Sequence, residues 1–220
     1  MIYIIKHKPI ETSSWYGYKD FGVGEIYKGS FPLNRYNPYI NEATALVDIL
    51  NSGDEIVGLV HYRRFFKDLT FKKAESILNA YDVITTFDQE VESPYKHLLS
   101  RLDEKIVDKY VTQLPFEVKS WFYTATGFNI CNMFVSKMDF LKGYTDWLFP
   151  IITPMIEQFV LEDVTDDVTH NRTLGFIIEC LFGYYCKDFK KYKNAIWESI
   201  DGDFNNIKQL RRMAYDAGTT

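Results

Sequence analysis

The stretch Val57-Gly58-Leu59-Val60-His61-Tyr62-Arg63-Arg64-Phe65-Phe66 constrains this chain more than any other. From Ile56 to Tyr62 it is apolar and rich in strand formers, which predicts a central strand. It then ends abruptly in an imidazole, a phenol and two guanidiniums. Met1 to Ile5 is a second short apolar run, followed by Lys6-His7-Lys8 and Pro9, and reads as a buried first strand with a loop at its carboxyl end. Helix signals lie between such runs. In Asn41 to Asn51 the apolar residues Ala43, Leu46, Val47 and Leu50 fall at i, i+3, i+4 and i+7, and Gly53 stops the pattern. A short helix around Lys72 to Ala80 leads into a strand at Val83 to Thr86. Ser93-Pro94 resembles an N-cap followed by proline at the first helical position, with helical pattern continuing to about Val111. Phe128 to Val135 reads as a further strand, and Ser136 with Asp139 as a capping box. The helix it opens carries Phe140, Leu141, Tyr144 and Leu148 on one side, and Pro150 and Pro154 interrupt or end it. Thr169 to Cys186 is the last strong helix, and Gly17 to Gly29 reads as a loop.

Strands alternating with helices predict an α/β fold with a mostly parallel sheet. The 220 residues fit one domain, and no internal repeat or low-complexity linker divides them. In such sheets ligands bind outside the carboxyl ends of the strands. Three places follow: Lys6 to Lys8, His61 to Arg64, and the turn after Val135. The net charge of −5 gives no push toward nucleic acid or anionic membrane. Three cysteines, an odd number without metal-like spacing, argue against a disulfide framework and a zinc site. No apolar run reaches about eighteen residues and the N-terminus lacks a signal-peptide layout, so the expected location is the cytoplasm, with any membrane contact peripheral.

Four features carry candidate chemistry. Arg63 and Arg64 at a strand end suit a diphosphate, whose oxygens guanidinium forks match; the alternative is pairing with acids of the same domain. Arg172 and Glu179 share a helix face with Gly175, Gly183 and Cys186, small residues that would leave it open, while Leu174, Ile177, Ile178, Leu181 and Tyr185 form a buried face. Glu179 in that position suits a general base; the alternative is a structural partner for Arg172. Asp163, Asp166 and Asp167 are candidate ligands for a divalent cation. The C-terminal part, 187–220, is basic, with Lys187, Lys190, Lys191, Lys193, Lys208, Arg211 and Arg212. Gly22-Val23-Gly24 lacks the context of a dinucleotide fingerprint.

Four stretches in order give the chain a family likeness. They are Asn41-Glu42-Ala43-Thr44-Ala45-Leu46; Gly58 to Phe66; Asn132-Met133-Phe134-Val135 with Tyr144 and Trp147-Leu148-Phe149; and Arg172-Thr173-Leu174-Gly175-Phe176 with Glu179. The chain, to about residue 185, resembles bacterial glycosyltransferases first catalogued as a domain of unknown function and common in capsule and O-antigen gene clusters. Some members look like galactofuranosyltransferases that use a UDP-sugar. The resemblance implies a GT-A-like, Rossmann-related fold, with Glu179 and Arg172 as catalytic residues and no tightly bound cofactor. It implies a donor site of His7, His61, Tyr62, Arg63, Arg64, Asn41, Glu42 and Asn132. Lys6 to Lys8 and the Gly22 loop would hold the nucleoside, and Trp147 is either a sugar wall or core. Where GT-A enzymes usually carry Asp-x-Asp, this chain has His61-Tyr62-Arg63, which leaves a divalent cation open. The acceptor stays open between a polysaccharide or its precursor and hydroxymethylated cytosine in phage DNA. A non-catalytic sugar-binding protein is the reading from another class.

Overall fold

The computed structural model describes residues 1–6, 17–24, 27, 32–61, 64–129, 131–160 and 167–198. His7, Tyr62, Arg63, Asp163, Asp166, Lys208, Arg211 and Arg212 lie outside them. The first half comprises β1 (Ile2–Lys6), β2 (Tyr18–Gly22), α1 (Asn37–Ile40), a 3₁₀ turn at Asn41–Ala45, α2 (Leu46–Leu50), β3 (Ile56–His61), β4 (Arg64–Phe66), α3 (Phe71–Ile77) and β5 (Val83–Thr85). The second half comprises β6 (Asp88–Glu90), α4 (Pro94–Leu99), α5 (Glu104–Val111), α6 (Phe116–Thr124), β7 (Gly127–Asn129), β8 (Phe134–Lys137), α7 (Met138–Met155), α8 (Val168–Asn171), α9 (Thr173–Tyr185), β9 (Lys191–Lys193) and β10 (Ile196–Glu198).

β1 pairs in parallel with β2 on one side and β3 on the other. β8 runs antiparallel between β3 and β5, β5 pairs in parallel with β9, and β10 pairs antiparallel with β4. β4 also pairs antiparallel with β3 through His61 and Arg64. Strands β1, β2, β3, β5, β9 and β10 therefore point one way, and only β4 and β8 run against them. The sheet is mostly parallel in direction, as expected, with one reversed strand at its centre.

Both faces are covered, which is why β1 and β3 are apolar without alternation. Tyr3, Ile5, Val57, Leu59, Val83 and Phe134 point into the larger core beneath α2, α7 and α9. Ile2, Ile4, Val60, Ile84 and Val135 point into a smaller core closed by Phe65, Phe66 and Ala74 of α3. Gly58 sits where the strands are most crowded. A Cβ there would stand 2.9 Å from Val135 Cγ2, 3.0 Å from the Phe134 carbonyl and 3.2 Å from Ile2 Cγ2.

Several elements differ from the sequence reading. The Asn41 helix is a 3₁₀ turn before it becomes α2, and Arg172 breaks the last helix into α8 and α9. The expected strand at Phe128 to Val135 is two strands, split by a turn in which Cys131 (φ 76) and Asn132 (φ 43) are both left-handed. Ser136 lies in β8, and α7 is capped at Lys137 without a side-chain bond. α7 also runs through Pro150 and Pro154, because Tyr144, Leu148, Ile152 and Met155 bury a continuous stripe that offsets the missing N–H groups. The Gly17–Gly29 loop contains β2. Ser93 caps α4 as expected, accepting from the Lys96 N–H. Cys131, Cys180 and Cys186 are buried and form no disulfide. Among the described residues no helix is long and apolar enough to cross a membrane.

Gly58→Ala is expected to destabilise the fold by about 1–3 kcal/mol, because the new methyl forces β1, β3 and β8 apart. A thermal or urea melt measures this, and an unchanged midpoint would contradict the packing.

Candidate functional site

α9 crosses the carboxyl edge of the sheet as a helix buried nearly all round. Leu174, Ile177, Ile178 and Leu181 are fully enclosed, as expected. The supposedly open face is packed as well. A Cβ on Gly175 would lie 2.1 Å from Asn41 Nδ2, and one on Gly183 would lie 2.8 Å from Phe128 Cβ; Cys186 is buried. The small residues thus admit close neighbours instead of clearing a space.

Glu179 is half-buried in this wall. Its carboxylate accepts the backbone N–H of Cys131, so the left-handed Cys131–Asn132 turn is aimed at it. Burial raises its pKa to about 7, helped by the negative charge of Glu42 and opposed by Arg64, the Cys131 N–H and Arg101. A carboxyl group that titrates there exchanges protons readily near neutral pH.

Arg172 does not serve as partner to Glu179. Its Nε donates to Asn41 Oδ1 at 2.9 Å, and its guanidinium lies 5.6 Å from the centre of the Phe176 ring. Asn41 holds a left-handed conformation (φ 51, ψ −133). Its carbonyl accepts from Asn37 Nδ2 at 3.0 Å and from Thr44 Oγ1 at 2.8 Å. The next residue, Glu42, reaches across to β3, where its Oε1 lies 3.5 Å from His61 Nδ1. Arg64 opens β4 directly opposite His61. Asn132 is buried beside the Glu179 contact. Two buried amide atoms of this edge, Asn41 Nδ2 and Asn132 Oδ1, have no hydrogen-bond partner among the described residues.

The expected residues Asn41, Glu42, His61, Arg64, Asn132, Arg172 and Glu179 thus gather around one edge of the sheet, while His7, Tyr62 and Arg63 lie outside the described residues. Tyr62 and Arg63 are the two residues linking His61 to Arg64. Lys6 Nζ is engaged by Asp20 Oδ2 at 2.8 Å. Trp147 stacks on Tyr184 (5.7 Å between centroids, 17°) and packs on Tyr144 and Tyr185, so it belongs to the core. Sequence reasoning missed His97 and Arg101, whose positions on and just past α4 carry no motif.

A GT-A diphosphate site usually holds a divalent cation on carboxylates; of the candidate ligands, Asp163 and Asp166 lie outside the described residues. β3 ends in His61 with the cation Arg64 opposite, and Glu42 faces His61. Asp167, one of the candidate ligands, caps α8 by accepting from the Thr169 and His170 N–H groups. Among the described residues no three His, Cys, Asp or Glu side chains converge as a metal site would need. Of the basic C-terminal residues, Lys191 and Lys193 pair with Asp88, and Lys187 pairs with Asp188.

The fold is that of a GT-A-like α/β domain. The chain resembles the apo structure of the bifunctional glycosyltransferase WbbM with a TM-score of 0.72 at 18% identity, over 91% of this chain and 45% of that one. It therefore spans less than half of that protein's length. Residues 1–191 match the family described as a domain of unknown function, DUF4422, and the chain belongs to that family. No match is found among curated proteins.

The raised pKa of Glu179 has a sign that can be tested. In the folded protein it titrates near 7, against an ordinary value of 4.5. Its contribution to stability is therefore fully present below about pH 4.5 and is lost as pH rises through about 7. Glu179→Gln should lose little or nothing at pH 5 and become more stable than the parent by pH 8. Melting temperatures of both proteins across pH 4.5 to 8 check this, and a difference that ignores pH would show that the carboxylate is not buried as described.

Proposed function

We propose that this chain is a glycosyltransferase domain that moves a sugar from a UDP-sugar to a hydroxyl of a saccharide acceptor by single displacement. The observation that carries the reading is Glu179, a carboxyl group titrating near neutrality at the carboxyl edge of a GT-A-like sheet, within the field of Arg64. The likeness to WbbM, itself a glycosyltransferase by name, supports it.

In this mechanism the Glu179 carboxylate takes the proton of the acceptor hydroxyl. The oxygen forms a bond to the anomeric carbon while the bond to the β-phosphate oxygen breaks, and UDP leaves with that electron pair. Arg64 offsets the charge that develops on the leaving diphosphate, and Arg63, its neighbour in sequence, adds to it. His61 and Glu42 form the wall beside the phosphates. Arg172 acts through Asn41 as a positioning residue. A furanosyl donor, as in the members this chain resembles, is the first to test.

Glu179→Gln keeps the shape of the side chain and removes its basicity. Turnover is expected to fall about a hundredfold or more, with UDP affinity unchanged, as read by UDP release from UDP-galactofuranose in the presence of an oligosaccharide acceptor. Full turnover by the variant would place the base elsewhere.

UDP is expected to raise the melting temperature, because it binds only the native state. Arg64→Ala should weaken UDP more than uridine, since the lost contact is to phosphate. It should also move the pH–rate profile upward, because Arg64 holds the Glu179 pKa down. No thermal shift with millimolar UDP on folded protein would reject the donor assignment.

A further inference from the structure

The family resemblance makes Asn41 a donor contact, but its polar atoms are already engaged or enclosed. Its N–H, at the end of α1, donates to the Asn37 carbonyl. Its own carbonyl accepts from Asn37 Nδ2 and Thr44 Oγ1, and its side-chain Oδ1 accepts from Arg172 Nε. Its Nδ2 is pressed against Gly175 and, buried there, has no hydrogen-bond partner among the described residues. The whole residue is 8% exposed, which leaves no face for a substrate.

Two unfavourable features meet at this one residue. Its backbone (φ 51, ψ −133) is one that glycine adopts freely and other residues only under strain. Its enclosed amide N–H groups have lost water without gaining an acceptor. A glycine would remove both, yet the chain carries asparagine. Strain of this kind persists where the surroundings impose it, and it collects at functional sites. What the bend achieves is the direction of the next residue. It turns the chain from α1 into the 3₁₀ turn, so that Glu42 reaches β3 and its Oε1 lies 3.5 Å from His61 Nδ1.

We propose that Asn41 is a positioning residue and not a substrate contact: its strained backbone, clamped by Arg172 and Gly175, aims Glu42 at His61 and so fixes the charged wall beside the diphosphate. The inference rests on the glycosyltransferase reading above for what that wall does, and on the junction alone for its mechanics. Glu42 also acts on the base. Its negative charge helps raise the Glu179 pKa, against Arg64, the Cys131 N–H and Arg101. His97 and Cys180 are the other titratable groups beside Glu179. A Glu42 that swings away therefore lets Glu179 titrate at lower pH, and the carboxylate reports on the aim of its neighbour without any substrate.

The test uses the full chain. Asn41→Gly and Asn41→Ala lose the same amide, but only glycine takes the left-handed backbone freely. Asn41→Gly should therefore melt higher than Asn41→Ala, the reverse of the ordinary order. In each variant the Glu179 titration is read as the pH dependence of the melting difference from the same variant carrying Glu179→Gln. It should move to lower pH. Glu42→Gln should move it the same way, and adding Asn41→Ala to Glu42→Gln should move it no further. Turnover of a UDP-sugar by Asn41→Ala should fall about tenfold or more with UDP affinity kept, the scale of a small misplacement beside the reacting atoms. That loss should vanish in the Glu42→Gln background. Arg172→Lys keeps the charge and removes the fork, and should shift the Glu179 titration the same way; it decides the matter if neither Asn41 variant folds. Equal melting of the Gly and Ala variants, an unmoved Glu179 titration, additive effects with Glu42→Gln, or weaker UDP binding with full turnover of bound donor would overturn the proposal. If no UDP-sugar is turned over by the parent, the glycosyltransferase reading fails, while the melting order and the Glu179 shift still decide this one.

Discussion

The site depends on the contact between Gly175 and Asn41. The helix α9 can approach the 3₁₀ turn only because position 175 has no side chain; the Asn41 amide occupies the place a Cβ would take. Asn41 in turn holds a left-handed backbone that costs a non-glycine residue about 1–2 kcal/mol. Arg172 on its side-chain oxygen, and Asn37 and Thr44 on its carbonyl, offset that cost. Both candidate carboxylates hang from this junction. Glu42 follows Asn41 directly, and Glu179 lies one helical turn beyond Gly175. A displacement at the junction would move both relative to β3.

The reversed strand β8 does the corresponding work on the sheet side. Entering between β3 and β5 against their direction, it brings the start of its own strand, not the end, to the carboxyl edge. The Cys131–Asn132 turn therefore lies beside His61, and its N–H meets Glu179. An all-parallel sheet would place a strand's carboxyl end here and leave no such turn. The mostly parallel α/β pattern was legible from Met1–Ile5, Ile56–Tyr62 and Val83–Thr86, because strands buried on both faces are apolar at every position. β8 was harder to separate, because Phe128 to Val135 is apolar throughout while its break is a matter of backbone angles at Cys131 and Asn132. β4, β9 and β10, of three residues each, are too short for any period to show.

The candidate site was legible where chemistry contradicts its surroundings. A histidine and arginines at the end of an apolar strand, and a glutamate inside an apolar helix, stand out in one dimension. Gly175 and Gly183 were misread for the same reason that they were noticed. Glycine on a helix face signals either open space or close approach, and only the partner decides between them. Here the partners are Asn41, distant in sequence, and Phe128. His97 on α4 and Arg101 just past its end had no signal, since a histidine and an arginine in such polar surroundings are ordinary until the fold brings them near Glu179.

Charges of both signs surround Glu179. Burial and Glu42 raise its pKa, while Arg64 and Arg101 lower it, so each guanidinium is a lever on the base. In the proposed mechanism a diphosphate bound by Arg64 would cancel part of that residue's field, and the Glu179 pKa would rise as the donor binds. The backbone N–H of Cys131 supplies a fixed stabilisation of the carboxylate that no substrate anion removes. That fixed contact and the field of Arg101 oppose the rise, and so favour the ionised form that the proposed mechanism needs.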